Sequence, residues 1–155
     1  MTHLSASASK TRPANTTAYS VNDVVSENAS TGTVWSFTGF PGAGGYLVKG
    51  RVTSNLVTGM TPRLRMYLFN AAPTGVLNDN EANTEPVYAD EAQKVGYVDF
   101  DAMDNSMSGA DSSESQRDDL RLEFSGHTLS GVLVTLDAFT PASAQQFTVT
   151  FVAEV

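Results

Sequence analysis

Between residues 63 and 69 the chain alternates strictly, with Leu64, Met66 and Leu68 set between Arg63, Arg65 and Tyr67. Successive side chains on a strand point to opposite faces, so this period of two sends the first set into a core and the second toward water or a partner. The run ends in Asn70-Ala-Ala-Pro-Thr-Gly75, where Pro73 lacks a backbone donor and Gly75 tolerates the positive φ of a turn. A chain built on this segment must supply further strands to pair with it and a second apolar layer to cover it.

The rest of the sequence supplies them. Residues 34–40 read as a strand, as do 46–54, where Tyr46, Val48 and Val52 are expected on one face and Lys49 and Arg51 on the other. Residues 95–100 form a short one. Leu120, Leu122 and Phe124 alternate, 131–139 extends again, and over 147–155 Phe147, Val149 and Phe151 oppose Thr148 and Thr150. Residues 11–25 read as irregular extended chain anchored by Tyr19, Val21, Val24 and Val25. Two acidic loops, 76–90 and 102–114, are expected to face solvent or a neighbouring copy, with one helical turn within 85–94. About seven strands, hardly any amphipathic helix and connections too short for βαβ crossovers predict an all-β fold. The expected architecture is an antiparallel β-sandwich, jelly-roll-like.

At 155 residues the chain fits one domain, expected over 13–155 and burying roughly 70% of its unfolded surface. Residues 1–12 precede it as an extended arm. Ser5 to Ser9 are too small and polar to bury anything, so order in this arm is expected to come from a neighbouring subunit or partner, with folding back on its own domain as the alternative. The sequence has no Cys, which removes disulfides and thiolate chemistry and fits assembly in a reducing compartment. No basic start and apolar stretch marks a secretory signal, and no apolar run approaches the roughly 20 residues that span a bilayer.

Net charge is −8, unevenly spread. Residues 1–65 carry six basic groups against Asp23 and Glu27; residues 66–155 carry 15 acids against Lys94, Arg117 and Arg121. This split predicts two differently charged surfaces. The acidic total argues against a nucleic-acid partner, whose phosphates need a basic docking face.

Three basic pairs recur at a spacing of two: Lys10 with Arg12, Lys49 with Arg51, and Arg63 with Arg65. On strands each pair shares a face, and neighbouring strands would stack them into a basic ladder able to dock on an acidic protein surface. The alternative is the ordinary charged outer face of a sheet. Asp99-Phe-Asp-Ala-Met-Asp104 has carboxylates but departs from a calcium loop at Met103 and Asp104, so no metal or other cofactor is expected. Gly39-Phe-Pro-Gly-Ala-Gly-Gly45 lacks the Lys-Ser/Thr of a phosphate cradle and reads as a hairpin connection. His3 and His127 are the only imidazoles, and no nucleophile-elbow pattern accompanies them, so no enzyme is expected. Trp35, Phe37 and Phe40 are read as core, with a sugar-binding platform as the rival.

Three stretches together resemble a family of small structural proteins of tailed bacteriophages, commonly associated with the head genes. They are Thr11-Arg-Pro-Ala-Asn-Thr-Thr-Ala-Tyr-Ser-Val-Asn-Asp-Val-Val25, Arg63-Leu-Arg-Met-Tyr-Leu-Phe-Asn-Ala-Ala-Pro-Thr74, and Gly131-Val-Leu-Val-Thr with Phe139-Thr-Pro. The resemblance covers most of the chain from Thr11 onward. It implies a virion structural role, as a capsid decoration or cement protein on the capsid exterior, assembled in the host cytoplasm. The expected partners are the major capsid protein and further copies of the chain, a trimer being favoured, with no membrane. A neck, tail or host-recognition fibre component, or a glycan-binding β-sandwich module, is the alternative.

Overall fold

The structure, a computed structural model, describes residues 1–55, 61–104 and 112–155. Among them are ten strands: β1 His3–Thr11, β2 Val24–Val25, β3 Trp35–Thr38, β4 Gly45–Ser54, β5 Leu64–Phe69, β6 Lys94–Phe100, β7 Ser113–Arg117, β8 Leu122–Phe124, β9 Thr128–Thr135 and β10 Gln146–Glu154. A 3-10 helix, Tyr88–Gln93, falls where one helical turn was expected. The first sheet runs β1-β10-β4-β7, with β8 also on β4; the second runs β2-β9-β5-β6, with β3 also on β9. All pairings are antiparallel, and the two sheets make the predicted β-sandwich.

The alternation of β5 holds. Leu64, Met66 and Leu68 are fully buried between the sheets, where they meet Phe147, Val149 and Phe151 of β10 in one continuous core. Phe37 of β3 and Phe151 touch edge to face across the layer, ring centroids 4.9 Å apart. The outer face of β5 is not open. Tyr67 and Phe69 join Val24, Val132 and Val134 in a second apolar cluster, covered by Val76 and Leu77. A strap comprising residues 70–90 therefore lies across the centre of the second sheet, and β9 beneath it is buried from Leu129 to Thr135 without alternation, while Ser36, Thr38 and Tyr97 of the same outer face stay exposed. Of the acids in the loop 76–90 expected at the surface, Asp79, Glu85 and Asp90 are instead buried, while Glu81, like Tyr88, is exposed. Most of the other acidic loop, 102–114, lies outside the described residues; of the rest, Met103 is buried and Ser113 opens β7.

Three further expectations are corrected. The arm is not separate: residues 3–11 are β1, paired with β10 from His3↔Glu154 to Thr11↔Gln146. Ser and Ala suit this edge strand because Leu4, Ala6 and Ala8 turn inward while the Ser side chains turn out. The face assignment on β4 fails at Tyr46 and Val48. Lys49 pairs with Val152 and Leu47 with Ala153, so Val48 is an extra, bulged residue that reverses the alternation; Leu47 enters the core and Tyr46 is exposed. The glycine-rich segment 39–45 is not a hairpin turn, because it carries the chain from β3 in one sheet to β4 in the other. Gly39 and Gly44 adopt φ of 99° and 78° there, which a side chain would resist.

Candidate functional site

The six basic candidates do not form one ladder. Lys10 lies on the inward-turned set of β1 and is buried under the loop between β2 and β3. Its Nζ donates to the Thr33 carbonyl (2.6 Å), to Thr33 Oγ1 (2.8 Å) and to the Glu27 carboxylate. Burial pulls the ammonium below its usual range, against the pull of Glu27. Burial likewise raises the Glu27 carboxyl, but hydrogen bonds from Lys10, Ser26 and Thr33 together outweigh it and hold the group at about 2.

The folded value of Glu27 lies below the unfolded one, so its stabilisation is complete above pH about 4.5 and is lost as pH falls toward 2. Glu27 is partly exposed, and solvent screening reduces the contribution to about 1 kcal/mol. Glu27→Gln should therefore flatten the fall in thermal stability between pH 5 and pH 2. Identical slopes for variant and wild type in a pH series of melting curves would assign the acid loss to other groups.

Arg12 is buried in a polar centre that joins three distant parts of the chain. Nη2 donates to Asp79 Oδ2 (3.1 Å), Nε to the Tyr19 hydroxyl (3.0 Å) and Nη1 to the Asn15 carbonyl (2.6 Å). The Tyr19 hydroxyl donates to Asp79 Oδ1 (2.5 Å), which also accepts the Ser26 N–H (3.0 Å). Both members of the Arg12–Asp79 pair are 1% exposed. Burial, then Asp79, push the Tyr19 phenol well above its ordinary range, so it stays a donor. This centre pins the strap at residue 79 to the end of β1. The sequence held no local signal for it, because 67 residues separate Arg12 from Asp79.

Arg63 and Arg65 belong to the second sheet and are engaged with acids there. Arg63 forks onto Asp137 (2.7–3.2 Å), and Arg65 onto Asp99 (2.5 and 2.8 Å) while stacking on Tyr97, its guanidinium 4.2 Å from the ring centroid. With Arg12–Asp79 and Lys49–Asp118, these pairs each join a base of the first 65 residues to an acid of the remainder. Four of the six bases of the first half are thus tied to acids of the second.

Lys49 and Arg51 remain on an open face. The outer surface of the first sheet has no strap, and its pairing sets side chains in transverse rows: Ser5, Val152 and Lys49; Ser7, Thr150, Arg51 and Gln116; Ser9, Thr148, Thr53 and Glu114. Hydroxyls link two rows, Ser7 Oγ to Thr150 Oγ1 and Ser9 Oγ to Thr148 Oγ1, both at 2.7 Å. Lys49 reaches Asp118 only loosely, at 3.5 Å with both side chains more than half exposed. Arg51 is exposed and has no ion-pair partner among the described residues. A shallow groove of about 240 Å³ runs between these two bases over Thr150, Val152 and Gln116. The arrangement offers two cations among small hydroxyls on a flat surface, with Glu114 in the third row and Asp118 beside Lys49, and the cations suit carboxylates of a protein partner.

The other candidates are accounted for structurally. Trp35, Phe37 and Phe40 are core, with Trp35 Nε1 donating to the Val25 carbonyl (3.0 Å), so they form no exposed sugar platform. His127 Nδ1 contacts the Phe40 carbonyl (2.9 Å), and among the described residues the ring makes no hydrogen bond or ion pair with a hydroxyl or carboxylate. In the 99–104 segment Asp99 is taken by Arg65, Phe100 and Met103 point into the core, and Asp104 bridges Glu114 through the backbone.

A scan against protein-family models finds no match, and a search of curated proteins finds none. Solved structures give low-scoring likenesses. The chain is similar to a chain of the capsid asymmetric unit of cyanophage Pam1 (12% identity, TM-score 0.33, covering 98% of this chain and 85% of that one). It is also similar to the K3 cleaved adhesin domain of Lys-gingipain from Porphyromonas gingivalis W83 (12%, 0.30, 84% and 71%). A third likeness is to the Israel acute paralysis virus pentamer (14%, 0.24, 87% and 77%). At these scores none carries weight for function.

Proposed function

We propose that this chain is a virion structural protein, a decoration or cement protein that binds the outer capsid shell of a tailed bacteriophage and bridges neighbouring capsomers. The reading rests on the family resemblance of residues 11–25, 63–74, 131–135 and 139–141, and the observation that carries its docking mode is the open outer face of the first sheet. There Lys49 and Arg51 stand available on a chain of net charge −8, while the centre of the opposite sheet is covered by its own strap. The partner is the major capsid protein, met through an acidic patch, and several such contacts held at once by an oligomer make release require loss of all of them. The protein has no catalytic role in this reading; it assembles in the host cytoplasm and sits on the capsid exterior, with neither nucleic acid nor membrane as partner.

Reversing both charges, Lys49→Glu with Arg51→Glu, should weaken co-sedimentation with purified shells of the encoding phage by about tenfold or more, and remove much of its salt dependence. Unchanged binding would remove this face from the attachment. The copy number in intact particles should match that of the shell subunits; a number fitting a single vertex or the tail would overturn shell decoration itself.

A further inference from the structure

We infer that the free edge of β1 is a self-association edge, at which two copies of the chain pair β1 to β1, antiparallel, about a two-fold axis through Ser7. Thr2 and Val155 exchange both backbone hydrogen bonds (3.2 and 2.9 Å), which sets the phase of the ladder. In an antiparallel pair bonded and non-bonded partners alternate, so Leu4, Ala6, Ala8 and Lys10 bond β10. The amides and carbonyls of His3, Ser5, Ser7, Ser9 and Thr11 turn to the open edge, where no backbone partner meets them among the described residues.

Monomeric proteins blunt such an edge with Pro, bulges, charges or a covering segment. Over nine residues β1 has no Pro, an unbroken register and no outward acid, Lys or Arg; its one buried charge, Lys10, stands near the end, where the Glu27 loop ties it down. A two-fold axis through Ser7 sets Ser7 against Ser7, Ser5 against Ser9, and His3 against Thr11 of the second copy. Every outward-turned N–H and C=O along the strand then finds a partner.

The inward side chains select a second copy as the occupant. In this register Ala6 faces Ala8, and Leu4 of the second copy faces Lys10. A groove of about 470 Å³ opens at that point, lined by Ala8, Lys10, Thr33, Val34 and Trp35. Leu4 is only half-buried in the single chain, and the pairing closes its exposed side into the groove, once on each side of the axis. No like charges oppose each other along the edge, although the chain as a whole is strongly acidic. The contact belongs to the chain in solution and does not rest on the capsid reading.

An interface of one strand per copy is at the small end of specific contacts, so dissociation constants of about 1–100 μM are expected. The sequence has no Cys, which makes single Cys variants unambiguous probes. Facing residues in a hydrogen-bonded antiparallel pair lie about 5.5 Å apart at Cα, within disulfide range. Ser7→Cys should form a disulfide-linked dimer on mild oxidation. Ser5→Cys and Ser9→Cys should link poorly alone but efficiently when mixed. Ser7→Pro removes an outward N–H that β10 does not use, and should shift the sedimenting mass to that of one 16.5 kDa chain with an unchanged circular dichroism spectrum. Wild type that stays monomeric at about 100 μM overturns the proposal. So does an oligomer that persists in Ser7→Pro and gives no Ser7→Cys disulfide.

Discussion

Replacing Arg12 with Met is expected to destabilise the fold by about 3–5 kcal/mol, because it leaves the Asp79 carboxylate buried without its cation. For a domain of this length that corresponds to a fall in Tm of about 6–20 °C. Asp79 would keep the Tyr19 hydroxyl and the Ser26 N–H, but two neutral donors do not replace a guanidinium at 1% exposure. Adding Asp79→Asn to Arg12→Met removes the stranded charge while an amide oxygen still accepts from Tyr19 and Ser26. The double variant should recover much of the loss, so the two changes should be non-additive by 1–3 kcal/mol in urea unfolding. A single variant costing under about 1 kcal/mol, or additive changes, would show that the centre contributes little to holding the strap. The loss should also be local in origin: hydrogen exchange should speed first in residues 70–90 and in β2, the segments that Asp79 and Ser26 fasten.

What the sequence disclosed and what it concealed divide along the range of the interactions. Leu64, Met66 and Leu68 were legible because alternation is a local property of a strand, and the same holds for Phe147, Val149 and Phe151. The fate of β1 was not. Small Ser and Ala residues carry no apolar signal, and the strand exists because β10 offers a complete ladder to it 143 residues later. Composition and charge also misled at the outer face of β5. Tyr67 and Phe69 are covered by Val76 and Leu77 in a segment whose Asn, Asp and Glu read as solvent-exposed, yet Asp79, Glu85 and Asp90 spend their carboxylates on strap and loop donors such as Ser26 N–H, Gly75 N–H and Thr74 N–H. Of the six basic candidates, the spacing of two identified each pair correctly as neighbours on a strand or at its end. It could not say which side of the sheet each pair faced, and there the pairs part: Lys10 and Arg12 are internal ties, Arg63 and Arg65 are occupied by Asp137 and Asp99, and Lys49 with Arg51 stand on the open face.

Phe37→Ala should cost a further kind of stability, about 3–5 kcal/mol, by opening a cavity between sheets that cannot collapse into it. Phe37 is fully buried on β3 and packs edge to face on Phe151 of β10, the central partner of both β1 and β4. Each sheet is held by its own ladders, so the layers cannot close locally without distorting several strands, and the lost contacts stay lost. Phe37→Leu keeps most of the volume and should cost less, about 1–2 kcal/mol. The pair of variants also separates packing from docking. Phe37 lies on the inner side, away from Lys49 and Arg51, so under the proposed function, at a temperature where Phe37→Ala is still folded, binding to capsid shells should equal that of wild type. The charge reversals at Lys49 and Arg51 should do the opposite, lowering binding while leaving the urea midpoint almost unchanged, as expected for exposed side chains with one loose ion pair between them. If Phe37→Ala lost shell binding while its circular dichroism remained native, the open face would depend on the exact spacing of the two sheets, and the docking surface would have to be redrawn to include the sandwich ends.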